Sequence, residues 1–290
     1  MGLSDDVRRH CAEVAAQARS VRIDATALDG VEPADPPELD PQVHYLEGPP
    51  ADVARYLLAL DAINFGSGWF PLLEKRPGLS GYFTVAWNMS DDWRAHGPWS
   101  TADLRAMTTE RIATALRQNP ALELMSLFAQ ALQEFGRLLG ERDALDLIEA
   151  SKGSAQALAA TLANRCALFG DHGFYKRAQI AANDLALAGI ARFHDLDDLT
   201  IFADNLVPHV LRCDGVLVYD DALAAQIDSG GLLPAGREER EIRACAVHAC
   251  ELLAQRTGVP PRVLDVWLWN RGQAPEYKTR PRHRTRTVYY

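Results

Sequence analysis

A mainly α-helical protein with a few short strands is what this sequence predicts, on three observations. Apolar residues recur at helical spacing, as in Val53, Tyr56, Leu57, Leu60 and Ile63. Residues 178–191 are rich in alanine, the best helix former. Strand character is confined to two short runs, Gly81–Trp87 and Val216–Tyr219. With 290 residues, 48 % of them hydrophobic, the chain can bury a large core. It reads as one large domain or two fused ones; taken as a single domain over 1–290, it has an N-terminal helical part to about 150 and a second helical part from about 151 to 290.

The elements follow in order. Ser4 is expected to cap a first helix, with Asp5 and Asp6 in its opening turn, reaching about Ser20. Residues 32–41, rich in proline and aspartate, form a connector. Pro49 and Pro50 introduce the helix that carries the Val53–Ile63 stripe, and the aromatic-bearing loop Gly66–Phe70 follows it. After the Gly81–Trp87 strand come two helices, Ala102–Gln118 and Leu122–Leu139, the second stopped by Gly140. A helix from Ser154 to Cys166 leads to the glycine-punctuated turn Gly170-Asp171-His172-Gly173. That turn opens a buried helix containing Ile180, Leu185 and Leu187. Lys176 and Arg177 lie in its first turn, where the helix dipole disfavours cations, so an anion is expected near them. The turn His194–Asp198 starts a further helix over 199–212 with Asp204 inside it. An extended piece over 216–219 and an acidic turn precede two last helices, Arg237–Gln255 and Arg262–Trp269.

Charge limits the partners. A net charge of −9 and a pI near 5.4 argue against duplex nucleic acid, which needs a broad basic footprint. No apolar run is long enough to span a membrane and no signal-peptide pattern stands out, so a cytoplasmic location is expected. The cysteines Cys11, Cys166, Cys213, Cys245 and Cys250 are odd in number and form no CxxC pair; they are expected to be free, buried thiols. The segment 278–290 is the exception in this acidic chain. It carries Lys278, Arg280, Arg282, Arg284, Arg286 and His283 and no acid. Val288, Tyr289 and Tyr290 suit order better than disorder, so the segment is expected to dock on the body and bring guanidinium groups suited to a phosphate.

Three chemistries compete for these residues. His172, the doublet His194-Asp195 and a later aspartate resemble the metal site of HD-type phosphohydrolases. A serine or cysteine nucleophile has little behind it, since no GxSxG elbow occurs. The Gly170–Gly173 turn, Lys176 and an aspartate about one helix later resemble the helix-hairpin-helix DNA glycosylases, in which an aspartate stabilises the sugar cation as the N-glycosidic bond breaks.

A closer resemblance spans the chain from about Asn64 onward. Its pieces are Leu60–Phe65 with Trp69, Gly81-Tyr82-Phe83, Phe174–Ile180, Leu199–Asp204, Val207-Pro208, Glu241-Ile242-Arg243 and His283–Tyr290. In this order they resemble the queuosine salvage protein family, the queuosine 5′-phosphate N-glycosylases. The resemblance implies a helical core similar to the helix-hairpin-helix glycosylases. It implies hydrolysis of queuosine 5′-phosphate to queuine and ribose 5-phosphate, with no redox or metal cofactor. It points to Asp204 as the carboxylate beside the anomeric carbon and Lys176 as its cationic neighbour. Phe65, Trp69 and Phe202 would offer faces to the base, with core packing as the alternative. Asn64 and Asp184 would read polar edges of the base or its cationic arm. Arg284, Arg286 and Tyr290 would meet the 5′-phosphate. A helical module that only binds a modified nucleotide is the reading from a different class.

Overall fold

The computed structural model describes residues 2–30, 33 and 38–290. Among these the chain is mainly helical. The helices are α1 (Leu3–Gln17), α2 (Pro50–Ala62), α3 (Gly81–His96), α4 (Thr101–Arg105), α5 (Thr109–Ala115), α6 (Glu123–Leu139) and α7 (Ala144–Ala150). They continue with α8 (Ala155–Arg165), α9 (Lys176–Leu187), α10 (Val207–Cys213), α11 (Asp221–Asp228), α12 (Arg237–Thr257) and α13 (Pro261–Arg271). The strands β1 (Val21–Ile23) and β2 (Leu217–Tyr219) pair antiparallel, with Val21 opposite Tyr219. No helix among the described residues is long and apolar enough to cross a membrane.

Several expected elements differ, each for a local reason. Of the connector expected over 32–41, residues 32 and 34–37 lie outside the described residues. The cap of α1 is Gly2, whose N–H donates to Asp5, while Ser4 is buried within the first turn. Gly81–Trp87 is helix, not strand. Ser80 caps it by accepting from the Phe83 N–H, and Thr84, Val85, Asn88 and Met89 bury one helical face. Its aromatic and β-branched content described a half-buried surface, which a helix can present as well. The helix expected over 102–118 breaks in two, because Thr108 caps a new start by accepting from the Arg111 N–H. Helices α7 and α11 were not anticipated; Asp143 and Asp220 cap them, the latter turning the expected acidic turn into a helix start.

Two apolar clusters share the interior. One gathers buried residues of α2 through α9, and the other gathers α1, the strands and α10 through α13. Residues 199–206 run along their seam. Leu199 and Phe202 belong to the first cluster, and Ile201, Ala203 and Leu206 to the second. A helix would turn one face to one cluster, so this segment stays irregular and α10 begins only at Val207. Buried backbone groups need partners, and here side chains provide them. Gln179 Oε1 accepts from Thr200 N at 3.0 Å, Asp265 Oδ1 accepts from Phe202 N at 2.8 Å, and Arg243 Nε donates to Ala203 O at 2.9 Å.

The segment 282–290 is docked, threaded between these layers. The Leu233 N–H donates to Arg284 O, Asn205 Nδ2 to His283 O, and Gly66 N to Tyr290 O, all at 2.8 to 2.9 Å. Gly68 makes the close passage achievable. A Cβ there would stand 2.5 Å from Thr285 O and 2.8 Å from Arg286 N, both backbone atoms. Gly68→Ala must push the segment off its track and should cost about 1–3 kcal/mol, the scale of overpacking. A thermal melt checks this: the variant should unfold at a clearly lower temperature, and a melting point equal to the parent's would refute the tight passage.

Candidate active site

The seam opens into a cavity of about 360 Å³. Asn64, Phe65, Lys176, Asp184, Phe202, Asp204 and Tyr290 line it. Trp69, Arg284 and Arg286 do not. Trp69 is buried, with its indole N–H on Glu123 Oε2 at 2.8 Å and Arg286 over its ring at 5.8 Å. Arg284 donates to the Gly230 carbonyl.

Asp204 is not inside a helix but at the entrance of one. Its Oδ1 accepts from Leu206 N at 2.7 Å and Val207 N at 3.0 Å, capping α10. That fixes the carboxylate and leaves Oδ2 for the cavity. Lys176 opens α9, directly after Tyr175, whose left-handed φ of 51° turns the chain sharply inward. The buried Lys176 Nζ donates to Asn64 O at 3.1 Å. Burial lowers its pKa; Asp204, Asp61 and Asp265 act in the other direction. Arg177 turns away from the cavity. It donates to the carbonyls of Ala62, Leu168 and Val288 and lies between the rings of Phe65 and Phe169 at 4.7 and 4.9 Å. The two cations at this helix start are thus engaged by carbonyl oxygens, which answers their position without an anion.

Carboxylates crowd the far side. Burial lifts the pKa of Asp184 to about 7, and Asn183 Nδ2 donates to its Oδ1 at 3.2 Å. Behind it Asp61 is 1 % exposed. Neither Asp61 oxygen has a hydrogen-bond partner of good geometry, although the Asn64 amide lies near enough to favour its charge. Burial and then Asp184 raise the Asp61 pKa well above the carboxylate range. Asp265 is raised by burial and then by Asp204. His44 also lines the cavity; its Nδ1 lies 2.9 Å from Asp40 O, an acceptor only, so Nδ1 carries the proton. Its Nε2, 3.0 Å from the Tyr82 hydroxyl, then accepts. Trp269 packs edge-on against Tyr82 and Phe83 with centroids 5.6 and 5.3 Å apart. Phe65 is mostly core, edge-on to Phe128 at 5.1 Å, with its rim reaching the cavity.

Sequence reasoning missed Asp61, Asp265, His44, Tyr82, Trp269 and Arg282 as site or near-site residues. Asp61 and Asp265 did carry a signal, each a lone carboxylate inside an apolar helical stretch. The metal reading finds no gathered ligands. Asp195 accepts from Ser154 Oγ and Ala155 N, both at 2.6 Å, at the start of α8, and His172 faces the Tyr175 hydroxyl. No group of three or more His, Cys, Asp and Glu side chains is placed to hold a metal ion among the described residues. Cys11, Cys166, Cys245 and Cys250 are buried free thiols; Cys213 is free and exposed.

Known proteins resemble this chain along most of its length. A protein from Sphaerobacter thermophilus named queuosine 5′-phosphate N-glycosylase/hydrolase is 33 % identical, covering 96 % of this chain and 95 % of its own. A mouse protein of the same name is 27 % identical over 86 % of each chain. One from Dictyostelium discoideum is 40 % identical over 40 % of each. Residues 43–290 match the family profile described as queuosine salvage protein, and that span takes in every element lining the cavity except residues 38–40. The chain therefore belongs to the queuosine salvage protein family.

Proposed function

We propose that this protein hydrolyses the N-glycosidic bond of queuosine 5′-phosphate, releasing queuine and ribose 5-phosphate. The observation that carries the reading is Asp204, pinned by two backbone N–H groups with Oδ2 free inside a nucleotide-sized cavity. Breaking an N-glycoside builds positive charge on the sugar, and a fixed carboxylate stabilises it or draws a proton from the attacking water. The water hydroxyl ends on the anomeric carbon and the departing base leaves with a proton. Burial works against the Lys176 charge and Asp204 favours it, so the cation lies close to that carboxylate.

The cavity carries charges of both signs, as such a substrate needs. Asp184, Lys176, Asp204 and Arg282 line it, Asp61 acts on Lys176 from behind, and Asp204 favours the charge of both Lys176 and Arg282. In this reading the cationic arm of the base meets Asp184, with Asn64 beside it, and the rings of Phe202 and Trp269 border the heterocycle. Stacking on such faces needs no particular base. A small nucleotide is the substrate, and neither duplex nucleic acid nor a membrane is a partner in this proposal. Incubation with queuosine 5′-phosphate, every product identified by mass, separates hydrolysis from mere binding: a binder yields a saturable complex and no free base.

Asp204→Asn tests the carboxylate cleanly. The asparagine Oδ1 can still cap α10, so the variant should fold and melt like the parent. Base release should fall by at least about two orders of magnitude, the scale of one well-placed electrostatic group. Turnover near the parental rate by a folded variant would move the role elsewhere.

Asp184 gives a pH signature. Its pKa is raised from 3.8 to about 7, so between these values the folded protein keeps a proton that the unfolded chain has already released. Its cost to stability is absent below the unfolded pKa, grows between the two values and is complete above the folded one. Asp184→Asn removes that cost, so its gain in melting temperature should be larger near about pH 8 than near about pH 5. The same variant should bind the cationic substrate more weakly. A stability gain that stays level across this window would show that Asp184 is not the titrating group.

A further inference from the structure

The tautomer of His44 reaches beyond its own contacts. Asp40 O faces Nδ1 at 2.9 Å, and two acceptors at that distance would repel, so Nε2 is the nitrogen that keeps its lone pair. Burial lowers the His44 pKa and Arg94 adds to this, outweighing the Asp40 carbonyl and carboxylate, so the ring is neutral. Arg94 also donates to Pro41 O and His44 O, both at 2.9 Å, and so fixes the backbone that carries the ring. The Tyr82 hydroxyl lies 3.0 Å from His44 Nε2, its one hydrogen-bond partner among the described residues. Its single hydrogen therefore points to His44. Burial, then Asp184 and Asp61, raise the Tyr82 pKa well above the usual value, so the phenol keeps that hydrogen. Phe83 and Trp269 stand edge-on to the Tyr82 ring, each at 5.6 Å, and hold it in place. Tyr82, His44 and Asp184 all line the cavity. What Tyr82 shows to that space is an oxygen with lone pairs and no hydrogen.

We propose that Tyr82 is a hydrogen-bond acceptor for a hydroxyl group on the arm of the base, and that His44 is the positioning residue that makes it one. The assignment rests on the nucleotide reading above. The arm of queuine carries a ring diol as well as a cation. Asp184 offers the charge that suits the cation, and the neutral Tyr82 oxygen suits a hydroxyl. A tyrosine hydroxyl free to turn serves as donor or acceptor and discriminates poorly. With its hydrogen committed it takes donors alone, and a keto or ether group in the hydroxyl's place would meet lone pairs on both sides. The commitment starts at a backbone carbonyl, so it needs no particular side chain at position 40.

The test uses the full chain. Long-range nitrogen–proton spectra locate the ring proton of His44, its signal assigned by its loss in His44→Gln. A proton on Nδ1 is expected, and one on Nε2 would overturn the proposal. Queuine and aminomethyl-deazaguanine, the base with the cation and without the diol ring, are titrated calorimetrically into the parent, Tyr82→Phe, His44→Gln and His44→Asn, with melting curves alongside. Tyr82→Phe should weaken queuine binding by roughly threefold to tenfold, the scale of one neutral hydrogen bond, and leave the aminomethyl base unchanged. The glutamine amide oxygen falls where Nε2 was, so His44→Gln should bind queuine like the parent. Asparagine reaches only as far as Nδ1, so His44→Asn should match Tyr82→Phe. On queuosine 5′-phosphate the loss should fall on KM with kcat nearly unchanged, since the arm is remote from the bond that breaks. Equal losses on both bases in Tyr82→Phe would make Tyr82 a packing residue and overturn the assignment. So would His44→Asn binding queuine as the parent does, or His44→Gln failing as His44→Asn does. A parent that binds queuine and releases no base ends the glycosylase reading and leaves the titrations to decide Tyr82; a parent that binds neither base ends both. Should Tyr82→Phe not fold, the contrast between His44→Gln and His44→Asn decides.

Discussion

The buried ion pair between Arg243 and Asp171 is the constraint on which the site depends. Both side chains are almost fully enclosed, and the guanidinium meets the two carboxylate oxygens at 3.1 and 2.5 Å. Burial works against the Arg243 charge, and Asp171 and Glu239 more than offset it, so its pKa stands above the usual value. Such a pair is costly to desolvate and returns little net stability, but removing one partner would strand the other. Its use here is positional. Asp171 also accepts from the Lys176 N–H at 3.4 Å, Arg243 Nε holds Ala203 O, and the guanidinium lies over Phe174 and Tyr290 at 4.0 and 4.6 Å. One cation thus ties the start of α9, the residue before Asp204 and the end of the docked segment to a common point.

The same logic explains why Asp204 can be both rigid and available. A helical aspartate would have had its backbone paired within the helix and its side chain free to rotate. On the seam, its backbone neighbours are held by Gln179, Asp265 and Arg243, and one of its own oxygens is spent on a cap. Orientation is settled by folding, before any substrate arrives, which is the condition for strong electrostatic stabilisation. The crowd of carboxylates nearby is tolerated because burial lets the most enclosed ones hold their protons.

Much of this was legible in the sequence. The helical class followed from the Val53–Ile63 stripe and the alanine-rich α9, and docking of the last segment followed from its aromatic, β-branched end. The irregular run over 199–206 was not legible, because its apolar residues carry helical spacing while facing two different clusters. Local periodicity cannot report that a segment lies between two cores. Gly81–Trp87 failed for the opposite reason: its strand-like content met a capping serine and a helical burial pattern. Asp204 and Lys176 were named through a family resemblance, and the seam brings both to one cavity. Asp61 and Asp265 were visible as misplaced charges, whereas Arg282 is told from Arg284 and Arg286 only by the fold, which brings it alone of the three to the cavity.

The docked segment has a consequence for the order of events during synthesis. Residues 282–290 fill a path already walled by Gly66, Ser67, Gly68 and Asn205, and Arg177 reaches across to Val288 O at 2.8 Å. These contacts join residues from 78 to more than two hundred positions apart, so they form late and with a large loop-closure cost. A nascent chain still lacking that stretch leaves Gly66 N without its acceptor, Arg177 without one of its carbonyls and the edge of the first cluster uncovered where Val288 packs. The cavity is therefore not a property of either half that can mature while the ribosome is still at work. It comes into being in a final threading step, and a chain cut short by even these few residues is left with an open core as well as an unfinished wall.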